Sequence, residues 1–424
     1  MVARMAVLEI DGLERAREQT LALVESVGDD DLERVHSTLM SPLVWDLGHI
    51  AAFEDLWLVH NRGGLPMRRP DLASVYDAFE TPRARRGELR YLKRAEAERY
   101  MTEVRACVRA LELPEEDAIV ELVVRHERQH AETMLQTLAL AQLDGWNPSG
   151  GVAAEPPGAF PLSGLEFVAV AAGAVPIGAG SAGFAYDNER PQHEVEVQGF
   201  MIGRGPVTNH DWLAFVEDGG YARRDWWSEE GWAWRNAEQI ERPLRWLDAG
   251  AERRLYGIRE LELEAPVVHV SWYEADAFAR ARGVRLPSEF EWEAAATWDP
   301  QRGEKLRWPW GDEAPDPTRA NLIETALFAP RAPAVLLDGS APSGALAMIG
   351  DVWEWTESEF RGYPGFRAHP YREYSEVFFG PHYRVLRGGS FAASREVVTP
   401  TFRNWDFPGR RQIFAGLRVA ADAA

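Results

Sequence analysis

The first third of the chain is patterned for helices. From Leu8 to about Val27 apolar residues recur at helical spacing among Glu and Arg, which predicts an amphipathic helix. Ser41 as N-cap and Pro42 at the first helical position open a second helix over 42–61, with Gly63-Gly64 just beyond its end. A third is expected from about Glu88 to Leu113. The fourth opens at Pro114-Glu115-Glu116-Asp117, where acids suit the positive end of the dipole, and continues to about Leu143 before Gly145. Four long helices predict an all-α four-helix bundle over residues 1–145.

The inward stripes of two helices carry histidine. On the fourth the stripe runs Ile119, Leu122, Val123, His126, His130, Met134, Leu138, and on the second Trp45, His49, Ala52, Phe53, Leu56. A buried ring with an unpaired nitrogen costs about 1–3 kcal/mol, so three inward imidazoles call for a shared partner or for a separate hydrogen bond each. A divalent metal satisfies all three together, and the i, i+4 spacing of His126 and His130 is that of a metal clamp. His126-Glu127-Arg128-Gln129-His130 also matches the zinc-protease pattern, in which Glu127 would be the general base. Thr133 stands where the metzincin glycine would be, however, and Glu127 lies one position off the histidine stripe. Three neutral imidazoles that leave coordination positions open suit oxygen chemistry at iron(II) better than a closed structural site.

After residue 145 the texture changes. Residues 146–162 are dense in Gly and Pro and read as a linker. From 163 to 424, short strand-like runs such as Phe167-Val168-Ala169-Val170 and His193-Glu194-Val195-Glu196-Val197 alternate with Gly, Pro and Asn. Two short helices stand out near Asn209–Phe215 and Trp272–Arg282. An α+β domain with much irregular structure is expected, its loops pinned by the tryptophans, of which the chain has 17, mostly in this part.

Composition narrows the function. A formal charge of −21 argues against nucleic acid or an anionic membrane surface as partner. The single cysteine, Cys107, permits neither an intramolecular disulfide nor a thiolate zinc cage, and reads as a small apolar helix residue. The N-terminus lacks a long apolar run and nothing approaches the roughly 18 residues of a membrane span. A cytoplasmic protein is expected. In so acidic a chain, Arg83, Arg85 and Arg86 between the second and third helices form either a solvated basic run or a seat for a substrate carboxylate.

Eight motifs in order carry a resemblance: Val175-Pro176-Ile177-Gly178, Asn188-Glu189-Arg190-Pro191, Pro206-Val207-Thr208-Asn209, Pro266-Val267-Val268-His269-Val270-Ser271-Trp272, Arg285-Leu286-Pro287-Ser288-Glu289-Phe290-Glu291-Trp292-Glu293, Trp308-Pro309-Trp310-Gly311, Gly350-Asp351-Val352-Trp353-Glu354-Trp355-Thr356 and Leu386-Arg387-Gly388-Gly389-Ser390-Phe391. Together they resemble the formylglycine-generating-enzyme (sulfatase-modifying factor) domain, which implies a C-type-lectin-like fold with low regular secondary structure. That oxidase works through a cysteine pair, and residues 163–424 contain no cysteine, so its activity does not carry over. The bundle, with His49 and His126-x-x-x-His130-x-Glu132, resembles a DinB-like metal-binding domain. The combination is similar to the ergothioneine-type sulfoxide synthases, non-haem iron enzymes that join a thiol to C2 of a histidine imidazole.

The resemblance implies iron(II) held by His49, His126 and His130, and dioxygen, γ-glutamylcysteine and Nα-trimethylhistidine (hercynine) as small-molecule substrates. Gln129, Asn404 and Trp405 match positions that contact the histidine substrate. Arg83 and Arg86 match a clamp for the dipeptide's carboxylates, and Asp406 with Arg410 a pair that holds its other end, which favours γ-glutamylcysteine over cysteine as donor. A tyrosine near iron is implied as proton and electron partner, with Tyr371 first, Tyr374 second, and Tyr363 close enough in sequence to be confused with them. Related domains can carry calcium, for which no ligands stand out. An ovothiol-type histidine sulfoxide synthase is the enzymatic alternative. Those enzymes often carry a methyltransferase domain, which the residues up to Ala424 do not include. A lectin-like binding module beside a structural metal site is the non-enzymatic one.

Overall fold

The computed structural model describes residues 2–114, 117–143, 145–148 and 160–423, and the chain divides into two compact units, Met1–Val152 and Ala153–Ala424. Most of the expected linker, 149–159, and residues Glu115, Glu116 and Asp144 lie outside the described residues.

The first unit is helical. Its long helices are α1 (Val2–Val24), α3 (Leu43–Glu54), α5 (Arg94–Arg109) and α6 (Ala118–Ala141), with the short α2 (Asp29–Glu33) and α4 (Arg83–Arg86) between them. α6 packs against α1 and α3, and α3 also packs against α5. Leu43, Trp45, Leu47, Val104, Met134 and Leu135 form part of the core. α3 runs on into a π-helical stretch, Asp55–Arg62, whose Asp55 accepts from the backbone N–H of Arg68 and Arg69 and from the Tyr100 hydroxyl.

Two helix starts differ from the sequence expectation for tertiary reasons. Ser41 does not cap α3, because its hydroxyl accepts from Arg86 Nη1 at 2.7 Å and Pro42 takes the cap position. The third helix begins at Arg94 rather than near Glu88. The preceding segment is held as a loop by Leu92 N–H donating to the Tyr76 hydroxyl and by the Tyr91 hydroxyl donating to the Glu33 carbonyl.

One charge from each long helix meets in the middle of this unit. Arg17 of α1 lies 2.7 Å from Glu54 of α3 and 2.8 Å from Glu127 of α6, and Arg105 of α5 lies 2.7 Å from Glu54 and 3.6 Å from Glu127. All four are buried, and two cations balance two anions. Burial alone would push the Glu54 carboxyl up, but the two guanidinium groups hold it below the usual carboxylate range.

The second unit combines small sheets with four short helices, α7 (Asn209–Glu217), α8 (Glu229–Ala237), α9 (Trp272–Ala281) and α10 (Glu289–Thr297). Three begin with a reciprocal cap, Thr208 with Asp211, Ser271 with Glu274 and Ser288 with Glu291. The largest sheet has the order Asn404–Asp406, Gly380–Arg387, Trp353–Phe360, Ala415–Leu417, its last pair parallel. A second sheet pairs Phe167–Val170 and Ala420–Asp422 on either side of Phe200–Gly203, joining the two ends of the unit. The motif residues make its polar core: Glu354 accepts from Trp292 Nε1 and Arg418, and Arg403 forks onto Glu289.

Candidate metal centre

His49 projects from α3, and His126 and His130 from successive turns of one face of α6. Among the described residues these three form the group able to hold a metal, with one ligand atom from each within 4.8 Å of the others. His49 is buried and the other two are half-buried. Glu132, part of the motif, is buried on α6 outside this group.

Two of the rings are oriented by what they donate to. His49 Nδ1 lies 2.7 Å from the Tyr76 carbonyl oxygen and His130 Nδ1 lies 3.1 Å from Asp46 Oδ1. A carbonyl or carboxylate oxygen only accepts, so each Nδ1 carries the hydrogen and each Nε2 presents a lone pair. His49 Nε2 and His126 Nε2 face one another at 3.1 Å. Two nitrogens about 2.1 Å from one divalent ion and at a right angle to each other lie about 3 Å apart. Burial, with His130 close by, pushes the imidazoles of His49 and His126 well below their ordinary value, which keeps them in the neutral form that binds metal.

Flat neighbours fix the ring planes. Trp45 stacks on His49 with centroids 4.9 Å apart, and Phe53 on His126 at 3.6 Å. Asp46 is wholly buried, and its Oδ2 has no hydrogen-bond partner among the described residues. A buried carboxylate oxygen without a hydrogen-bond partner lies beside three converging neutral rings, and a divalent cation on the rings would offset its charge together with the nearby Arg86. The donor set fits a metal.

The other expected site residues are placed as follows. Gln129 is half-buried on α6 and shares the face of His126 and His130. The arginine run is the short helix α4, and its members differ. Arg83 is exposed, whereas Arg86 is buried, donates to the Thr81 carbonyl, the Ser41 hydroxyl and the Ala78 carbonyl, and lies 3.8 Å over the Trp45 ring. Burial lowers the Arg86 guanidinium to about 10, with Asp46 opposing the shift.

In the second unit the tyrosine segment and the C-terminal segment meet. Tyr374 stands edge-on to Trp405 at 6.2 Å and to Tyr371 at 6.2 Å, and its ring stacks on Tyr186 at 4.6 Å. Phe360 covers one face of Trp405 at 4.1 Å. Asn404, Trp405 and Asp406 form an edge strand of the main sheet, and Arg410 Nε lies 3.6 Å from Asp406 Oδ1. Tyr363 is buried against Arg403 and Glu289, and burial pushes its phenol well up.

Sequence reasoning missed three contributors. Asp46 was readable, since it stands one turn before His49 on the same helix face. Glu127 is off the histidine stripe but faces the bundle interior through Arg17, a partner 110 residues away that no local pattern shows. Tyr76 acts through its backbone carbonyl and leaves no sequence signal.

Residues 154–423 match the family model of the sulfatase-modifying factor enzyme 1-like domain, and residues 12–134 that of the DinB superfamily. Three relatives align along nearly the whole chain. Hercynine oxygenase of Mycolicibacterium thermoresistibile is 46% identical over 96% of this chain and 93% of its own. Hercynine oxygenase of Mycobacterium tuberculosis is 45% identical over 97% of each, and that of Mycolicibacterium smegmatis is 44% identical over all of both. No helix of the described residues is long and apolar enough to cross a membrane.

Proposed function

The chain belongs to the hercynine oxygenase family and is an oxidoreductase, and from that premise we propose that it joins the sulfur of γ-glutamylcysteine to C2 of the hercynine imidazole as a sulfoxide. In that reaction the thiol hydrogen and the C2 hydrogen leave with one oxygen atom of dioxygen as water, and the other oxygen atom ends on sulfur. The observation that carries the proposal is the convergence of His49, His126 and His130, with two of the rings tied back through Nδ1.

His49, His126 and His130 would hold iron(II), which when bound supplies activation of dioxygen and a common point for the reacting groups. The chain's own residues do the rest. Gln129, on the face of α6 that carries two of the histidines, orients the hercynine substrate, and the resemblance assigns Asn404 and Trp405 of the second unit to the same substrate. A quaternary ammonium suits the aromatic cluster around Trp405, where Phe360, Phe378 and Tyr374 gather. Arg83 takes a carboxylate of the dipeptide, and the buried Arg86 stiffens that seat from within. Asp406 and Arg410, already paired, hold the other end. Tyr371 supplies the proton that oxygen reduction needs, with Tyr374 packed behind it.

The test is direct. The protein is purified without oxygen, loaded with iron(II), given hercynine and γ-glutamylcysteine, and exposed to air. A sulfoxide conjugate is expected by mass spectrometry, and its absence from iron-loaded protein would refute the reading. His130→Ala is expected to lose iron and activity together. Cysteine in place of γ-glutamylcysteine is expected to give far less conjugate.

A further inference from the structure

We infer that Asp46 is the positioning residue of the metal centre: its carboxylate sets the His130 imidazole so that Nε2 meets the ion, and it offsets part of the positive charge of the loaded site. The inference rests on the reading of His49, His126 and His130 as metal ligands.

Asp46 and His49 are three residues apart on α3 and share a face, so one helix supplies both a ligand and the group that holds a ligand of α6. The Asp46 side chain is wholly closed to solvent. Oδ1 is 3.1 Å from His130 Nδ1, and Oδ2 has no hydrogen-bond partner among the described residues. Two structural explanations do not account for this placement. The nearby cation Arg86 directs its N–H groups to Thr81, Ser41 and Ala78 instead. An acid in the first turn of α3 suits the helix dipole, but among the described residues no backbone N–H of that turn donates to Asp46.

The three rings are not held alike. His49 is steered by a neutral acceptor, the Tyr76 carbonyl, whereas His130 is steered by an anion. A carboxylate on the far nitrogen of a ligating imidazole fixes its tautomer and raises its basicity, and loss of such a partner lowers metal affinity about 10- to 100-fold. Three neutral imidazoles leave the full double charge of a divalent ion in a poorly solvated place, and Asp46 is the anion in contact with one of those rings.

The experiment compares wild type, Asp46→Asn and Asp46→Ala, each purified without oxygen and stripped of metal. Helix content and thermal midpoint of the metal-free proteins are read by circular dichroism, and iron(II) affinity by titration against a competing chelator. Asparagine keeps the size and an oxygen that accepts from Nδ1–H but removes the charge, and alanine removes both. The expected result is wild-type helix content in all three, iron affinity lower by about 10- to 100-fold in Asp46→Ala, and a smaller loss in Asp46→Asn. If the alanine protein fails to fold, the asparagine protein decides. Unchanged iron affinity in the variants overturns the role of Asp46, including the case where only the thermal midpoint falls. Wild type that takes up no iron overturns the metal reading itself, and this inference with it.

Discussion

Arg17 Nε sits 2.8 Å from Glu127 Oε1 with both side chains shut off from solvent, so the glutamate between the two α6 histidines is a structural anion. It shares Arg17 and Arg105 with Glu54, and the four residues tie one helix each into a single neutral cluster. Glu127→Gln would leave two buried guanidinium groups with one fully buried carboxylate, Glu54, and the half-buried Glu14 3.4 Å from Arg105. The expected loss is about 3–5 kcal/mol in urea unfolding of the metal-free protein. Replacing Arg17 and Glu127 together by apolar residues should cost less than the sum of the single changes. A large loss of activity with unchanged stability in Glu127→Gln would instead restore the general-base role that the protease-like motif suggests.

The plane of His126 is set by Phe53, whose ring lies 3.6 Å away at 7°. Such a pair contributes about 0.5–1.5 kcal/mol beyond the area it buries. Phe53→Leu keeps most of the volume and should cost less than about 1.5 kcal/mol in stability. It frees the ring to rotate, so iron(II) affinity should fall by up to about tenfold, as read by chelator competition. Loss of stability without loss of iron would show that the stack serves packing alone.

Arg83 and Arg86 read as one unit in the sequence, and the structure separates them. Arg83→Ala removes an exposed side chain and should change stability by no more than about 0.5 kcal/mol. It should raise KM for γ-glutamylcysteine by about tenfold, the size of one charge-assisted hydrogen bond, and leave KM for hercynine unchanged. Arg86→Ala also removes the donors to Thr81, Ser41 and Ala78 and the cation over Trp45, so about 2–4 kcal/mol of stability should go with it. Because Trp45 stacks on His49, the loss should weaken iron binding too. Identical stability of the two variants would contradict this division.

Helical periodicity was enough to place four long helices and to turn three histidines inward, because a buried face imposes a 3.6-residue repeat on its own residues. It could not place the start of α5 or the cap of α3, since Tyr76, Glu33 and Arg86 act on those segments from other parts of the chain. In the second unit, period-2 alternation marked Phe167–Val170 and His193–Val197, and both are strands. α10 went unmarked, although Ser288 and Glu291 spell its cap. The histidines of the candidate site were legible as a spacing. What orients them was legible only in Asp46, which stands one turn before His49, because the rest consists of a backbone carbonyl and flat rings that look like ordinary core.

His269, in the second unit, offers a pH test. It is buried with φ of +65°, and Nδ1 lies 3.0 Å from the Arg411 carbonyl. Burial, and then Arg245 beside it, pushes its imidazole down to about 3. The unfolded chain takes up that proton near pH 6.5, so between about 6.5 and 3 the unfolded state binds more protons. The contribution is therefore complete above pH 6.5 and is lost as pH falls, at about 1.4 kcal/mol per pH unit. Asparagine tolerates the left-handed backbone, which makes His269→Asn the suitable comparison. From pH 7 to pH 5 the wild type should lose more stability than the variant, and parallel curves would refute the assignment.

The two tyrosines of the 370–376 segment are constrained differently. Tyr374 is stacked on Tyr186 and stands against Trp405, and the next residue, Ser375, donates to the buried Asp187. Those contacts are made by the ring, so Tyr374→Phe should preserve both the fold and most of the conjugate. Tyr371 stands edge-on to Tyr374 at the start of the same segment. If its hydroxyl delivers the proton during oxygen reduction, Tyr371→Phe should lower formation of the sulfoxide conjugate by at least about 100-fold. Oxygen would still be consumed, and the thiol would appear as its own oxidation product. Quantifying both products by mass spectrometry in the two variants separates the roles. Diversion in Tyr374→Phe but not in Tyr371→Phe would exchange them, and diversion in neither would place the proton donor outside this segment.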